Sequence, residues 1–169
     1  MIPLLILGLI YQNPDSSGYD LLRLMDERHY KYIVKVTKGS FYYNVQQLEE
    51  KGHINQVDTG EVSSHDARHY KITDSGINTF NELMKHYGSI TDYVNLTLYG
   101  PLLFADMYDK KELLELLELQ IQQTQAKVEL LEMSLVTAEP SYFTMMLANS
   151  RAHHLVNIEW FTTLIENLH

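Results

Sequence analysis

Thr37-Lys-Gly-Ser-Phe-Tyr-Tyr-Asn-Val-Gln-Gln-Leu-Glu-Glu-Lys-Gly52 is the stretch on which the reading of this chain turns. Thr37 is a capping residue, Phe41, Val45 and Leu48 recur at i, i+4 and i+7 as one apolar face, and Gly52 suits a left-handed stop. The opposite side is the informative one. Ser40, Tyr42, Tyr43, Asn44, Gln46 and Gln47 are neutral hydrogen-bonding groups, with Lys38 and Lys51 at the two ends. Gln and Asn match adenine bidentately, Ser and Tyr hydroxyls reach phosphate oxygens, and the open N–H groups of a first helical turn favour an anion. An ordinary amphipathic helix with a polar solvent face shows the same pattern, so the flanks must decide.

Upstream, an apolar helix is expected from about Ile2 to Tyr11, broken by Asn13-Pro14-Asp15. Ser17 with Asp20 three residues on makes a capping-box start for a second helix, reaching about His29 with Leu21, Leu22 and Met25 at core spacing. Residues 30–36 alternate and are β-branched, which fits a short strand or an extended linker. Downstream, Ile54–Val57 and Arg68–Ile72 are strand-forming runs joined by a polar loop, Asp58–Ala67. Thr73-Asp-Ser-Gly76 then starts a helix carrying Ile77, Phe80, Leu83, Met84 and Tyr87. Three helices followed by a hairpin is the order of a winged helix-turn-helix, whose third helix enters a major groove while the hairpin touches the adjacent backbone.

Composition sets the outer limits. With 169 residues, 45% of them hydrophobic, the chain can bury a core in one large or two small domains. It has no cysteine, which excludes disulfides and thiolate metal sites and fits a cytoplasmic location. The apolar start at Met1–Tyr11 lacks a basic flank and is far short of the roughly 20 residues needed to span a bilayer, so no membrane partner is expected. Net charge is −9, unevenly spread: residues 1–87 hold nine Lys or Arg against eleven acids, the remainder four against eleven. Two functional halves are therefore expected.

Enzyme motifs are missing. No Gly-rich phosphate loop, G-x-S-x-G elbow or His-Glu-x-x-His occurs, so neither catalysis nor a cofactor is expected. His65 and His69 lie four apart in a hairpin, where that spacing does not converge on a metal as it would on a helix. No metal site is expected.

In its first half the sequence also resembles the PadR-type transcriptional regulators, named for the phenolic acid decarboxylase repressor. The resemblance is carried by Leu4-Leu-Ile-Leu-Gly-Leu-Ile10, Ser17-Gly-Tyr-Asp-Leu21, Gly39-Ser-Phe-Tyr42 with Leu48-Glu-Glu-Lys-Gly52, and His69-Tyr-Lys-Ile-Thr73 with Gly76, in that order. It implies a cytoplasmic, sequence-specific DNA-binding regulator, a repressor that responds to a small aromatic or phenolic acid and dimerises through a C-terminal helical domain. The expected architecture is mainly α with a small β-hairpin: a winged-helix domain at 1–88 and a helical domain at 89–169 with long helices at about 110–136 and 140–168. Expected contacts with a double-stranded operator are Lys38, Ser40, Tyr42, Tyr43, Asn44 and Gln47 on the helix and His65, Arg68 and Lys71 on the wing. The wing departs from the family in carrying few firm positive charges. An interaction module that has lost DNA binding is therefore kept as the alternative.

The second half has its own pattern. Asp109 with Glu112 caps a helix in which Leu114, Leu117, Ile121, Thr124, Val128, Leu131 and Leu135 alternate at 3 and 4. After Pro140, at the expected first turn of the last helix, Leu147, Arg151, His154, Ile158, Phe161, Ile165 and Leu168 do the same. The two helices suit pairing with each other and with a twin, and Leu114, Leu117, Ile121, Val128, Leu131, Leu135, Ile158, Phe161 and Ile165 are the expected homodimer contacts, the alternative being a helical hairpin closed within one chain. Arg151 and His154 interrupt the apolar stripe and need partners. Those are either acids such as Glu129 or Glu132, or an anionic effector held by Arg151, His153 and His154 against Trp160, Tyr93, Phe104 and Met145.

Overall fold

A computed structural model describes residues 1–30, 33–57, 68–136 and 141–168. The expected loop 58–67, with its His65, the pair Lys31-Tyr32 and Pro140 lie outside the described residues. The chain divides into two compact units, Met1–Asp92 and Tyr93–His169.

In the first unit α1 (Ile2–Gln12) is the central rod. Ile6, Leu7, Leu9 and Ile10 are all buried, and since helix positions 100° apart point in different directions, α1 must be covered on more than one side. The cover comes from α3 (Lys38–Glu50), α4 (Asp74–Gly88) and β3 (His69–Ile72). One core results, in which Leu21, Met25, Phe41, Val45, Leu48, Ile54 and Tyr70 join the α1 residues.

The expected capping box of Ser17 with Asp20 forms, and the expected Thr37 cap proves to be a box with Ser40. Ahead of α2 (Gly18–Glu27) the Asp20 amide donates to Ser17 Oγ and the Ser17 amide to Asp20 Oδ2, each at 3.1 Å. The Ser17 hydroxyl donates to the same carboxylate and is the main reason Asp20 is held below the usual carboxylate range. Ahead of α3 the Ser40 amide donates to Thr37 Oγ1 at 3.2 Å. Helix α2 stops at Glu27, two residues before the expected end, and His29 turns the chain with φ of 56°.

Of the two readings of residues 30–36, a strand or a linker, the described residues show no strand. The amides of Ile33 and Val34 both donate to the Tyr30 carbonyl, making a turn, and 34–37 run on without regular pairing. A strand missing from the sequence reading lies earlier instead. β1 (Ser16–Ser17) pairs Ser16 with Tyr70 and Ser17 with His69, while β2 (Ile54–Val57) pairs on the other side, Ile54 with Ile72 through Val57 with His69. The sheet is three-stranded and antiparallel in the order β1-β3-β2. Central β3 thus has Tyr70 buried beneath it.

In the second unit a short helix α5 (Tyr99–Leu102) and a 3-10 turn at Ala105–Met107 precede α6 (Lys110–Val136) and α7 (Tyr142–Leu168). Asp109 Oδ1 accepts from the Glu112 amide at 3.0 Å, as the sequence suggests, while at the head of α7 Ser141 and Thr144 exchange amide-to-hydroxyl bonds. The helices form an antiparallel hairpin: Glu132 meets Arg151 near the connection, and Leu117 shares a buried cluster with Phe161 towards the far end. Among the described residues no helix is long and apolar enough to cross a membrane.

The junction of α3, β2 and α4 is the tightest in the first unit. Gly52, with φ of 70°, ends the turn after α3; Thr73 Oγ1 donates to its carbonyl at 2.8 Å, and the Thr73 amide donates to the His53 carbonyl at 3.1 Å. Gly76 sits so close beneath that a methyl there would lie 2.0 Å from the His53 oxygen. Gly76→Ala is expected to destabilise the first unit by roughly 1–3 kcal/mol, because backbone must move to admit the methyl. Denaturant unfolding measures this, and a loss below ~0.5 kcal/mol would show that the junction yields freely.

Candidate nucleic-acid interface

Helix α3 owes its orientation to Phe41, Val45 and Leu48, which are buried against the first unit's core. A 100° step per residue then places Gly39, Tyr43, Gln46 and Glu50 along the outermost line, with Tyr42 and Gln47 on its flanks. Tyr42, Tyr43, Gln46 and Glu50 are exposed.

Two of the expected contact residues are already occupied. Ser40 belongs to the cap: its hydroxyl donates to the Thr37 carbonyl at 2.9 Å and accepts from the Thr37 amide at 3.1 Å. Asn44 lies on the core side of the outward line, half-buried, and its Nδ2 donates to the Ser40 carbonyl at 2.7 Å. Both read as polar and outward in the sequence because a list of polar residues ignores helical phase. Gln46 and Glu50 were not among the expected contacts, and counting in steps of three and four from Gly39 would have found them.

The rest of the surface joins α3 to the wing. Lys38 Nζ lies 6.0 Å from the centre of the Tyr42 ring, within cation–π range, and that ring packs edge-on to Phe41 and close over Gly18. Gly18, Tyr42, Val45, Gln46, Glu49, Arg68 and Tyr70 line a cleft of about 320 Å³. Burial, and next the charge of Glu49, push the Tyr70 phenol above its ordinary value. Gln56 on β2 donates its Nε2 to Glu49 Oε1 at 2.5 Å, tying the wing strand to α3. Lys71 is exposed on β3. Arg68 and Lys71 thus stand on the hairpin beside α3, whereas His65 falls outside the described residues.

The expected effector residues are dispersed along the second unit. Arg151 is taken by Glu132, its Nε donating to Glu132 Oε1 at 2.8 Å, so the ion-pair reading accounts for it. His154 is half-buried, and burial first, then Lys127 and His153, lower its pKa. Trp160 packs edge-on to Tyr99 with ring centres 5.6 Å apart and lies 5.4 Å from Phe161. Met145 sits fifteen residues before Trp160 on α7, about 22 Å away at 1.5 Å per residue, so the two cannot line one small cavity in a single chain. Tyr93, Phe104 and Met145 are exposed.

The expected dimer stripe needs correction. Leu117, Val128, Leu131 and Phe161 are at most 6% exposed within one chain, and Leu114, Ile121, Leu135, Ile158 and Ile165 are half-buried. Leu113, absent from the expected stripe, is buried too. The stripe closes the α6–α7 hairpin, because each long helix finds its apolar partner in the same chain before any second copy is involved.

Residues 6–82 match the family model described as "Transcriptional regulator PadR-like family". No curated protein sequence matches the chain significantly. Among solved structures, Bacillus subtilis PadR in complex with operator DNA aligns with a TM-score of 0.81 at 19% identity, over 99% of this chain and 98% of that one. The same protein in complex with p-coumaric acid aligns with 0.81 at 18% identity, over 99% and 98%. The Vibrio cholerae virulence activator AphA aligns with 0.76 at 14% identity, again over 99% and 98%. At such identities the likeness is one of fold.

Two expectations come from the geometry. Gln46→Ala is expected to change the preference at one base pair by about 1–3 kcal/mol and Lys38→Ala to weaken all duplexes alike, whereas Asn44→Ala leaves preference untouched. Competition binding against random duplex separates the three, and a preference change for Asn44→Ala alone would reverse the assignment. Arg151→Ala and Glu132→Ala are each expected to cost less than about 1 kcal/mol in unfolding experiments, since the pair is solvent-accessible and screened.

Proposed function

We propose that this chain is a PadR-like, DNA-binding transcriptional regulator, a cytoplasmic repressor that works as a homodimer and is relieved by a small aromatic or phenolic acid, a reading supported by the match of residues 6–82 to the PadR-like family model. The observation that supports the DNA side most is the exposed pair Tyr43 and Gln46, flanked by half-buried Gln47, on a helix opened by a capping box beside a hairpin bearing Arg68 and Lys71. Amides and phenols can meet base edges, while Lys38, Arg68 and Lys71 supply the phosphate attraction. Two copies would present two such helices to a two-fold site with half-sites about one helical turn, ~34 Å, apart.

What supports the homodimer is the apolar surface that the hairpin leaves outside. Leu116, Leu119, Leu130 and Met133 on α6 and Met145, Met146, Leu155 and Val156 on α7 are exposed. A long helical pair with so much apolar surface is poorly soluble alone, and a second copy is the partner always present at equal concentration.

For the effector, the relevant feature is the aromatic cluster of the second unit, in which Tyr99 packs edge-on to Trp160 and Phe161 lies tilted against it, together with the p-coumaric acid complex of the B. subtilis protein. An aromatic acid inserted there would act through differential affinity. If it favours a dimer whose reading helices are wrongly spaced it weakens operator binding, and DNA weakens its binding by the same factor.

The test uses the chain's one tryptophan, Trp160, which makes its fluorescence a reporter of the second unit alone. p-Coumaric acid is expected to quench it and, at saturation, to lower duplex retention. Retention itself is expected to fall steeply with salt, as counterions are released from phosphates. An adaptor without DNA binding would show no retention at any salt; unchanged fluorescence and retention with the acid would remove the effector.

A further inference from the structure

Gly18 is the residue of Ser17-Gly-Tyr-Asp-Leu21 for which its own helix supplies no reason. Ser17 and Asp20 close the capping box, and Leu21 is fully buried in the core. Gly18 opens α2, buried, with a backbone that other residues adopt: among the described glycines only Gly52 has a positive φ. On helical propensity alone alanine would be the better choice, because glycine loses more backbone freedom on folding. What remains is room. A methyl on Gly18 would stand 2.8 Å from Tyr42 Cε1, and 3.6 and 3.7 Å from its Cδ1 and Cζ.

The space is thus filled from α3. The Tyr42 ring lies against the start of α2, edge-on to Phe41 with ring centres 5.7 Å apart, and Lys38 Nζ is 6.0 Å from its centre. Phe41 is fully buried and gives the ring a fixed wall, while Tyr42 itself keeps 40% of its surface exposed. One glycine therefore sets the place of two groups on α3: a phenol whose hydroxyl can donate to a phosphate oxygen, and an ammonium attracted by the face of the ring. Gly76 differs, because a methyl there meets the backbone oxygen of His53. At Gly18 it meets a side chain, which can turn about χ1 while the backbone stays where it is.

We propose that Gly18 is a positioning residue for DNA binding: its missing side chain seats the Tyr42 ring against α2, and the seated ring holds the Tyr42 hydroxyl and the Lys38 ammonium where they meet backbone phosphates. The inference rests on the DNA-binding reading above. Phosphate contacts fix register and carry no sequence information, so loss of the seat weakens every duplex and leaves base preference alone.

Competition binding of the full-length chain, on a duplex selected from a randomised library and on random duplex, reads the effect. Gly18→Ala is expected to melt at or above the temperature of the unmutated chain and to bind both duplexes roughly fivefold more weakly, the scale of one hydrogen bond. Tyr42→Ala is expected to weaken both by at least as much. In that background Gly18→Ala is expected to change nothing further, because no ring remains to be displaced. A Gly18→Ala chain that binds like the unmutated one would overturn the proposal, and so would a Tyr42→Ala chain that does, whether or not the Gly18 variant folds. Melting of Gly18→Ala well below the unmutated chain would make the seat a requirement of α2–α3 packing, and an equal loss of binding in the background without the ring would mean that the glycine acts through another contact; either result overturns it as well. An unmutated chain that retains no duplex at low salt removes the DNA-binding reading itself, before any variant is compared.

Discussion

Helix α1 is buried on more than one side, and the first unit is arranged to satisfy it. Ile6 and Ile10 point one way and Leu7 and Leu9 others, yet all four are buried. Each such side chain contributes about 1.5–3 kcal/mol when taken from water, and less than that if the unfolded chain is already collapsed. An isolated α1 would be insoluble; surrounded by α3, α4 and β3 it is the axle of the fold. The orientation of α3 follows, since Phe41, Val45 and Leu48 can meet α1 in only one rotation, and that rotation decides which polar residues look outward. The line from Gly39 to Glu50 is therefore a consequence of packing two layers below it.

The polar groups on that line are not free agents. Ser40 is committed to the cap, Asn44 to the turn before it, Gln46 and Gln47 to Glu50, and Glu49 to Gln56 on the wing. Individually such surface bonds stabilise by only a few tenths of a kcal/mol. Their larger effect is orientational. A side chain held in one rotamer before binding loses less entropy on binding, and it also presents one hydrogen-bonding pattern rather than several. The first unit thus offers a partly preorganised face.

The second unit follows a different logic. A 3/4 alternation on two consecutive helices is satisfied most cheaply inside the chain, because the short connection makes the second helix a neighbour at high effective concentration. Leu117, Val128 and Leu131 are used up in this way, and Arg151 is neutralised by Glu132 across the same seam. What is left for intermolecular contact is the residue set between the heptad positions, from Leu116 and Leu119 to Val156, which the periodic pattern passes over as filler.

The helices, their caps and the wing strands were legible in the sequence because each depends on neighbours within about seven residues: Ser17 with Asp20, Thr37 at the head of its helix, Asp109 with Glu112, Phe41 with Val45 and Leu48. The class of fold and the polar character of α3 were legible for the same reason. β1 was not, since two serines next to a cap form a strand only when β3 arrives from more than fifty residues away. Nor were the occupation of Asn44 or the grip of Glu50 on two glutamines, although the closure of the heptad stripe within one chain and the ion pair of Arg151 with Glu132 each stood as one of two open readings. A sequence lists which groups can bond, and local spacing limits the partners within a helix. Only the packed structure, by fixing the rotation of each helix and bringing distant segments into contact, decides which of those bonds are made and which groups are left facing outward.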